Sequence, residues 1–305
     1  MTSPSESIKP PRPALTAGER AGLGYAVGAY VIWAVTPLYF KAVLTASAFE
    51  IVMHRVVWCV VFLVLVITVA RQWGEVRAAV SSRRVLATLL ATALLVSVNW
   101  TIFIYTIESS QLIASSLGYF LSPLVSVLLG FVILRERLNT SQWIAAGIAG
   151  VAVAIKVVAF GSLPWIGLTI AFCFGVYGLL RKAVAAGPAV GLFVECLVLA
   201  PFCLAWLVWL DLHGHSHFSL SEPWFALLLA AAGPVTGIPL LLYAAGARRV
   251  KLATMGLLQF IIPATYLGLA FNDGEAFGTE DAITFVLIWL ALAIYVRDMW
   301  RTRSV

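Results

Sequence analysis

Charge is scarce in this chain. Asp, Glu, Lys and Arg make up only 11% of its 305 residues, against about 25% in ordinary soluble domains. Twenty basic and fourteen acidic side chains cannot cover the surface of a water-facing globule of this size, which excludes a single soluble domain. Cysteine is scarce too. All four, Cys59, Cys173, Cys196 and Cys203, fall inside apolar stretches, so they read as packing thiols and not as a disulfide framework. No Walker loop, metal-ligand spacing or nucleophile paired with a base appears, which excludes an ATP-driven pump in this chain and leaves no cofactor or metal to expect.

Apolar residues are abundant, at 62% of the chain with a mean hydropathy of +0.98. A helix needs about 20 apolar residues to cross about 30 Å of hydrocarbon. Cutting the chain at its charge clusters yields ten runs near that length: 21–43, 48–70, 85–107, 112–134, 142–160, 163–180, 188–210, 224–246, 252–271 and 282–299. None alternates strictly as an outer-membrane strand does, and backbone in lipid must satisfy its own hydrogen bonds, so helices are predicted. The expected fold class is an all-α polytopic membrane protein of ten transmembrane helices. Residues 1–20, with Pro4, Pro10, Pro11 and Pro13 among polar neighbours, are too polar to bury a core and read as a disordered tail. Residues 300–305 read as a second tail. The first run is of spanning length and is read as a permanent helix, not a cleavable signal.

The placement of the basic residues predicts orientation. Seventeen of the twenty lie in the tails and in the loops after runs two, four, six and eight, including Arg181 and Lys182 after run six. Lys and Arg collect on the cytoplasmic side, so both termini are expected in the cytoplasm of a bacterial inner-membrane protein. This pattern also disposes of nucleic acid as a reason for the net charge of +6.

Five spans per half is an odd number, so related halves must sit upside down to each other. Leu117, Phe120 and Pro123 recur 140 residues later as Leu257, Phe260 and Pro263, and Phe131 recurs as Phe271. A Glu-x-apolar-polar step follows each, at Glu136 and at Glu275. This is the signature of an inverted repeat, 21–160 and 161–299, characteristic of secondary transporters. The segments His54-Arg55-Val56-Val57-Trp58, Asn99-Trp100-Thr101-Ile102-Phe103-Ile104, Ser116-Leu117-Gly118-Tyr119-Phe120, Ser122-Pro123-Leu124-Val125-Ser126-Val127-Leu128-Leu129-Gly130 and Leu257-Leu258-Gln259-Phe260 resemble the RarD subfamily. That subfamily belongs to the EamA branch of the drug/metabolite transporter superfamily. The resemblance spans about Gly22 to Arg297 and implies two five-helix modules around a central cavity, with export or exchange of a small metabolite, amino acid or drug. Ile261 and Ile262 stand where relatives often carry a small residue.

Ionisable groups within spans are costly, by about 2.5 to 3.5 kcal/mol each on insertion scales, and mark candidate sites. Run two carries Glu50, His54 and Arg55, and run seven carries Glu195 at a pseudo-equivalent position. Arg55 is a candidate to bind a substrate carboxylate or to pair with Glu50 or Glu195. Glu195 or His54 is a candidate for proton coupling, with fixed structural ion pairs as the alternative. Asn99 and Gln259 are candidate polar groups of the cavity, and Tyr30, Trp33, Tyr119 and Tyr177 candidate stacking surfaces. Thr236 and Ser116 read as hydrogen bonds between helices. Pro123 and Pro263 are candidate hinges. Lys41 and Lys156 read as lysines reaching for the headgroups, and Gly24 and Gly28 as a helix-packing face within one chain. His213, His215 and His217 read as a solvated loop. Small-molecule substrate and membrane lipids are the expected partners, protons a possible one; the sequence leaves the oligomer open. A channel or sensor, or a lipid-modifying enzyme, are the competing classes, the latter weakened because Glu75 and Glu136 are the sole carboxylates of the basic loops.

Overall fold

The computed structural model of the protein describes residues 15–108, 112–161, 165–263, 265 and 278–301. Among them the chain is helical throughout, with no strand. The helices are α1 (Ala17–Ala42), α2 (Ala48–Val69), α3 (Trp73–Ser81), α4 (Arg83–Glu108), α5 (Leu112–Val132), α6 (Thr140–Phe160), α7 (Trp165–Ala183), α8 (Pro188–Leu212), α9 (Pro223–Ala247), α10 (Leu252–Gln259) and α11 (Thr279–Arg301). Seven are long and apolar enough to cross a membrane, and Gly118–Val132 and Leu252–Pro263 are shorter apolar segments. The outward surface is correspondingly greasy. Leu65, Leu94, Phe202 and Val158 are all more than half exposed, as expected where lipid is the solvent.

Local chemistry sets the helix ends. The Thr16 hydroxyl accepts from the Glu19 amide while the Glu19 carboxylate accepts from the Thr16 amide, a reciprocal cap that starts α1 at Ala17. The helix therefore begins inside the segment expected to be a tail; residues 1–14 lie outside the description. Asn139 and Gln142 cap α6 in the same way, and Gly161, at φ 72°, ends it. Pro188 and Pro223 occupy the first turns of α8 and α9, where a missing amide hydrogen costs nothing. Two departures from the ten runs stand out. The amphipathic α3, of nine residues, occupies the basic loop after run two. Run nine turns at Phe260 before a further helical piece at 261–263, and most of its remainder, Phe271 included, lies outside the described residues, as does Glu275 beyond it.

The large packings join the two halves of the chain. Helix α5 lies against α7 and α10, α6 against α11, α1 against α9, and α2 against α8 and α9. The α2–α9 approach is close because Gly233 faces the backbone of Trp58, which a Cβ there would meet at 2.4 Å. The expected Gly24–Gly28 packing face within the chain is half present. Gly28 faces the Leu242 side chain of α9, which a Cβ would meet at 3.5 Å, but Gly24 is exposed with nothing near it, and the backbones of α1 and α9 come closest where Gly22, Ala26 and Gly246 meet. The four cysteines are buried and free.

Candidate functional site

A cavity lies between the halves, walled by α1, α2, α4, α5, α7, α9, α10 and Ile262. Its space for the centres of water-sized molecules is about 70 Å³, about half that of an engineered 150 Å³ cavity that admits benzene. Arg55 is its charged wall. Seven residues into α2, the guanidinium sits under two rings, with its carbon 4.6 Å from the Trp100 centroid and 5.1 Å from that of Phe40. Its Nε donates to the Thr236 hydroxyl of α9 at 2.9 Å. Among the described residues no carboxylate stands within ion-pair distance of it.

Around this cation the structure gathers several of the sequence candidates. Asn99, Tyr119, Gln259 and Trp33 line the same cavity. The Asn99 amide nitrogen donates to the Ile170 carbonyl at 3.1 Å, and Tyr119 packs edge-on against Phe103. Pro123 lies within α5 one residue from the lining Ser122. Pro263 is buried one residue past the lining Ile262.

Toward the basic end of the bundle the cavity floor is aromatic. Trp33 and Phe174, both lining residues, pack edge-on at 5.6 Å, and Tyr243 lies 5.7 Å from Trp33 and 5.1 Å from Phe174. Tyr177 stacks on both Phe174 and Tyr243. Tyr30 closes the cluster from α1 and donates its hydroxyl hydrogen to the Met255 carbonyl at 2.8 Å. Tyr30 and Tyr177 thus belong to the floor and not to the cavity lining.

Below that floor lies a charge pair that the sequence reading did not assemble. Arg181, placed by the sequence in the loop after run six, belongs to the last turn of α7 and is 1% exposed. Its Nη1 lies 3.5 Å from a Glu195 carboxylate oxygen, and its Nη2 donates to the Pro188 carbonyl. Glu195 further accepts from the Thr92 hydroxyl at 2.7 Å and the Tyr177 hydroxyl at 3.4 Å. Arg181 reaches this place because Gly191 has no side chain: a Cβ there would sit 1.7 Å from Nη1. Glu195 therefore partners Arg181 and not Arg55.

Glu50 and His54 lie on the opposite side of Arg55, at the other end of the bundle. Buried Glu50 accepts from both the backbone amide and Nδ1 of His217, each at 2.8 Å. Nε2 of His54 stands 4.0 Å from the same carboxylate, and its Nδ1 accepts from the Trp58 indole. Phe218 covers the His54 ring. The loop expected to be solvated is in fact anchored by its third histidine.

The basic end is tied shut across the halves. Glu136, in the loop after α5, accepts from the first amides of α10, Leu252 and Ala253, at 2.7 and 3.0 Å. It lies 3.8 Å from Lys182, which itself donates to the Ala247 and Val250 carbonyls. A carboxylate at a helix N-terminus is a favourable cap.

Comparison with known proteins places this architecture. The EamA-like transporter family matches residues 20–158. A protein of Vibrio cholerae named as an uncharacterized transporter is 43% identical over 280 residues, covering 92% of this chain and 93% of its own. Protein RarD of Salmonella typhi is 40% identical, covering 92% of this chain and 95% of its own. A solved crystal structure shares the fold with a TM-score of 0.69 at 18% identity, over 93% of this chain and 99% of its own.

Proposed function

The chain belongs to the RarD subfamily of the EamA family, within the drug/metabolite transporter superfamily, and on that premise we propose that it is a secondary transporter working by alternating access. It is a multi-pass membrane protein whose relatives are named as transporters, and we read it as a carrier and not an enzyme. In this reading ten helices form two inverted repeats, 21–160 and 161–299, in a bacterial inner membrane with both termini cytoplasmic. The packing of helices at equivalent places, α2 with α8, α5 with α10 and α6 with α11, supports a twofold relation between the halves.

The observation that carries the proposal is Arg55, a buried cation without a carboxylate partner among the described residues, facing a cavity between the halves. A charge left unpaired in a low-dielectric interior is expensive, and a bound substrate anion would offset that cost. The aromatic floor and the Glu136–Lys182 tie close the cavity toward the basic end, which is the cytoplasmic end in this orientation. The conformation is then contracted and closed to the cytoplasm. Opening there would break Glu136 from α10, part Tyr177 from Tyr243, and release solute outward on the return stroke. Pro123 within α5 and Pro263, in the helical piece after α10, are the bends proposed for that opening. Exchange of one solute for another suffices to drive the cycle; Glu195, held by Arg181, is the candidate for a proton-linked step.

Reconstitution tests this reading. Sealed proteoliposomes preloaded with a metabolite and amino-acid mixture should accumulate labelled members of that mixture by counterflow, at carrier rates and without single-channel current in planar bilayers. Correctly folded protein that gives no counterflow, or that conducts, overturns it.

A further inference from the structure

The chemistry of the cavity wall restricts its occupant, and we infer that the substrate of the proposed transporter is a small organic monocarboxylate with a planar apolar body and no ammonium group. The inference rests on the transporter reading and on four features of the wall. Arg55 is the one Lys, Arg, Asp or Glu among the described lining residues, so the described site carries a single positive charge and attracts one negative charge. Its Nε is engaged with Thr236, and neither Nη donates to a described residue, which leaves the two-pronged edge that binds carboxylates side by side.

No described lining residue is acidic. An amine cation would meet Arg55 with nothing to pair against, and a second carboxylate would be buried without a counter-charge. Six rings dominate the rest of the wall, beside Thr36, Ser122, Gln259 and three aliphatic side chains, and the pairs Trp33–Phe174 and Phe103–Tyr119 meet edge-on. Such walls suit a flat apolar body, whose edges and faces they can meet in the offset geometries that aromatic groups prefer. Asn99 supplies one directional polar group. One of its two amide N–H groups is committed to Ile170, so the second N–H and the carbonyl oxygen remain to meet a hydroxyl or carbonyl on the substrate body. The contracted cavity is smaller than a ring with its carboxylate, so the occupant enters as the halves part.

A charge series on one skeleton tests this. Thermal unfolding of the purified full chain is followed with phenylpropanoate, phenylalanine, phenylpropanol and phenylpropylamine, which share a ring and a three-carbon chain but are anion, zwitterion, neutral and cation. The expected result is a rise in Tm with phenylpropanoate alone, lost in Arg55→Met and at least about tenfold weaker in apparent affinity in Arg55→Lys, a factor that corresponds to about 1.4 kcal/mol. Equal stabilisation by the alcohol, the amine or the zwitterion overturns the inference, as does equal protection of Arg55→Met by the acid or no shift with any of the four. Should Arg55→Met fail to fold, the series on the parent protein decides alone. The two readings fail separately. Phenylpropanoate binding in a protein that gives no counterflow of it or of any solute in the mixture sinks the transporter reading and leaves the binding class standing, whereas counterflow of other solutes without phenylpropanoate binding does the reverse.

Discussion

Arg181 and Arg55 are both sealed within the helices, at 1% and 7% exposure, yet their surroundings differ in kind. Arg181 lies 3.5 Å from Glu195, over a glycine that leaves room for it. Arg55 meets a threonine hydroxyl, two ring faces and a cavity. The first cation is neutralised by its own chain and holds α7 to α8. The second has no counter-charge among the described residues, which is what the proposed binding site for an anion requires. Burial alone therefore does not mark function in a membrane interior; burial without an in-chain partner does.

The comparison can be broken from either side. Glu195→Ala strands Arg181 and should cost about 3–5 kcal/mol, read as a large fall in the midpoint of thermal unfolding in detergent. The double change Arg181→Met with Glu195→Leu should recover most of that loss. Gly191→Ala attacks the same pair through space, because its Cβ would overlap Nη1 of Arg181; a loss of about 1–3 kcal/mol is expected from such overpacking. Arg55→Met should behave oppositely, with unfolding within about 1 kcal/mol of the parent, since an unpaired buried charge is removed, while solute binding falls at least about tenfold.

Two further variants sharpen the contrast between the ends of the bundle. Glu136→Gln weakens the cap on α10 and the contact with Lys182. Losing charge-assisted bonds of this kind costs about 1–2 kcal/mol, and thiol labelling of a cysteine placed at Tyr177 should quicken from the basic side. His217→Ala should have the smallest effect, below about 1 kcal/mol, because its ring is half exposed and the backbone amide still reaches Glu50. Labelling at the opposite end would report it.

Much of this arrangement was legible in the residues. Long apolar runs located the helices, and polar groups set within those runs picked out Arg55, Asn99, Tyr119 and Gln259, which do converge on one cavity. The rest depended on facts that one-dimensional patterns do not carry. Arg181 sits beside Lys182 and looks like a loop cation; only the space above Gly191 makes a buried site for it. His217 stands in a polar loop, and its contact with Glu50 spans 167 residues. Phe40, Trp100, Phe103 and Phe174 line the cavity but share their composition with every packing aromatic in the chain. The short helix α3 was hidden because its apolar face is interrupted by Glu75 and Arg77 within a basic stretch. Phe120 and Phe260, partners in the proposed repeat, are both fully buried, whereas Glu275, the counterpart proposed for Glu136, lies outside the described residues.

The most direct test of the division between the two arginines is counterflow in sealed proteoliposomes, comparing the parent, Arg55→Met and the paired Arg181→Met with Glu195→Leu variant at equal folded protein. The account predicts that Arg55→Met loses uptake by at least about tenfold while the paired variant retains it. Uptake by Arg55→Met at the parent rate would contradict it.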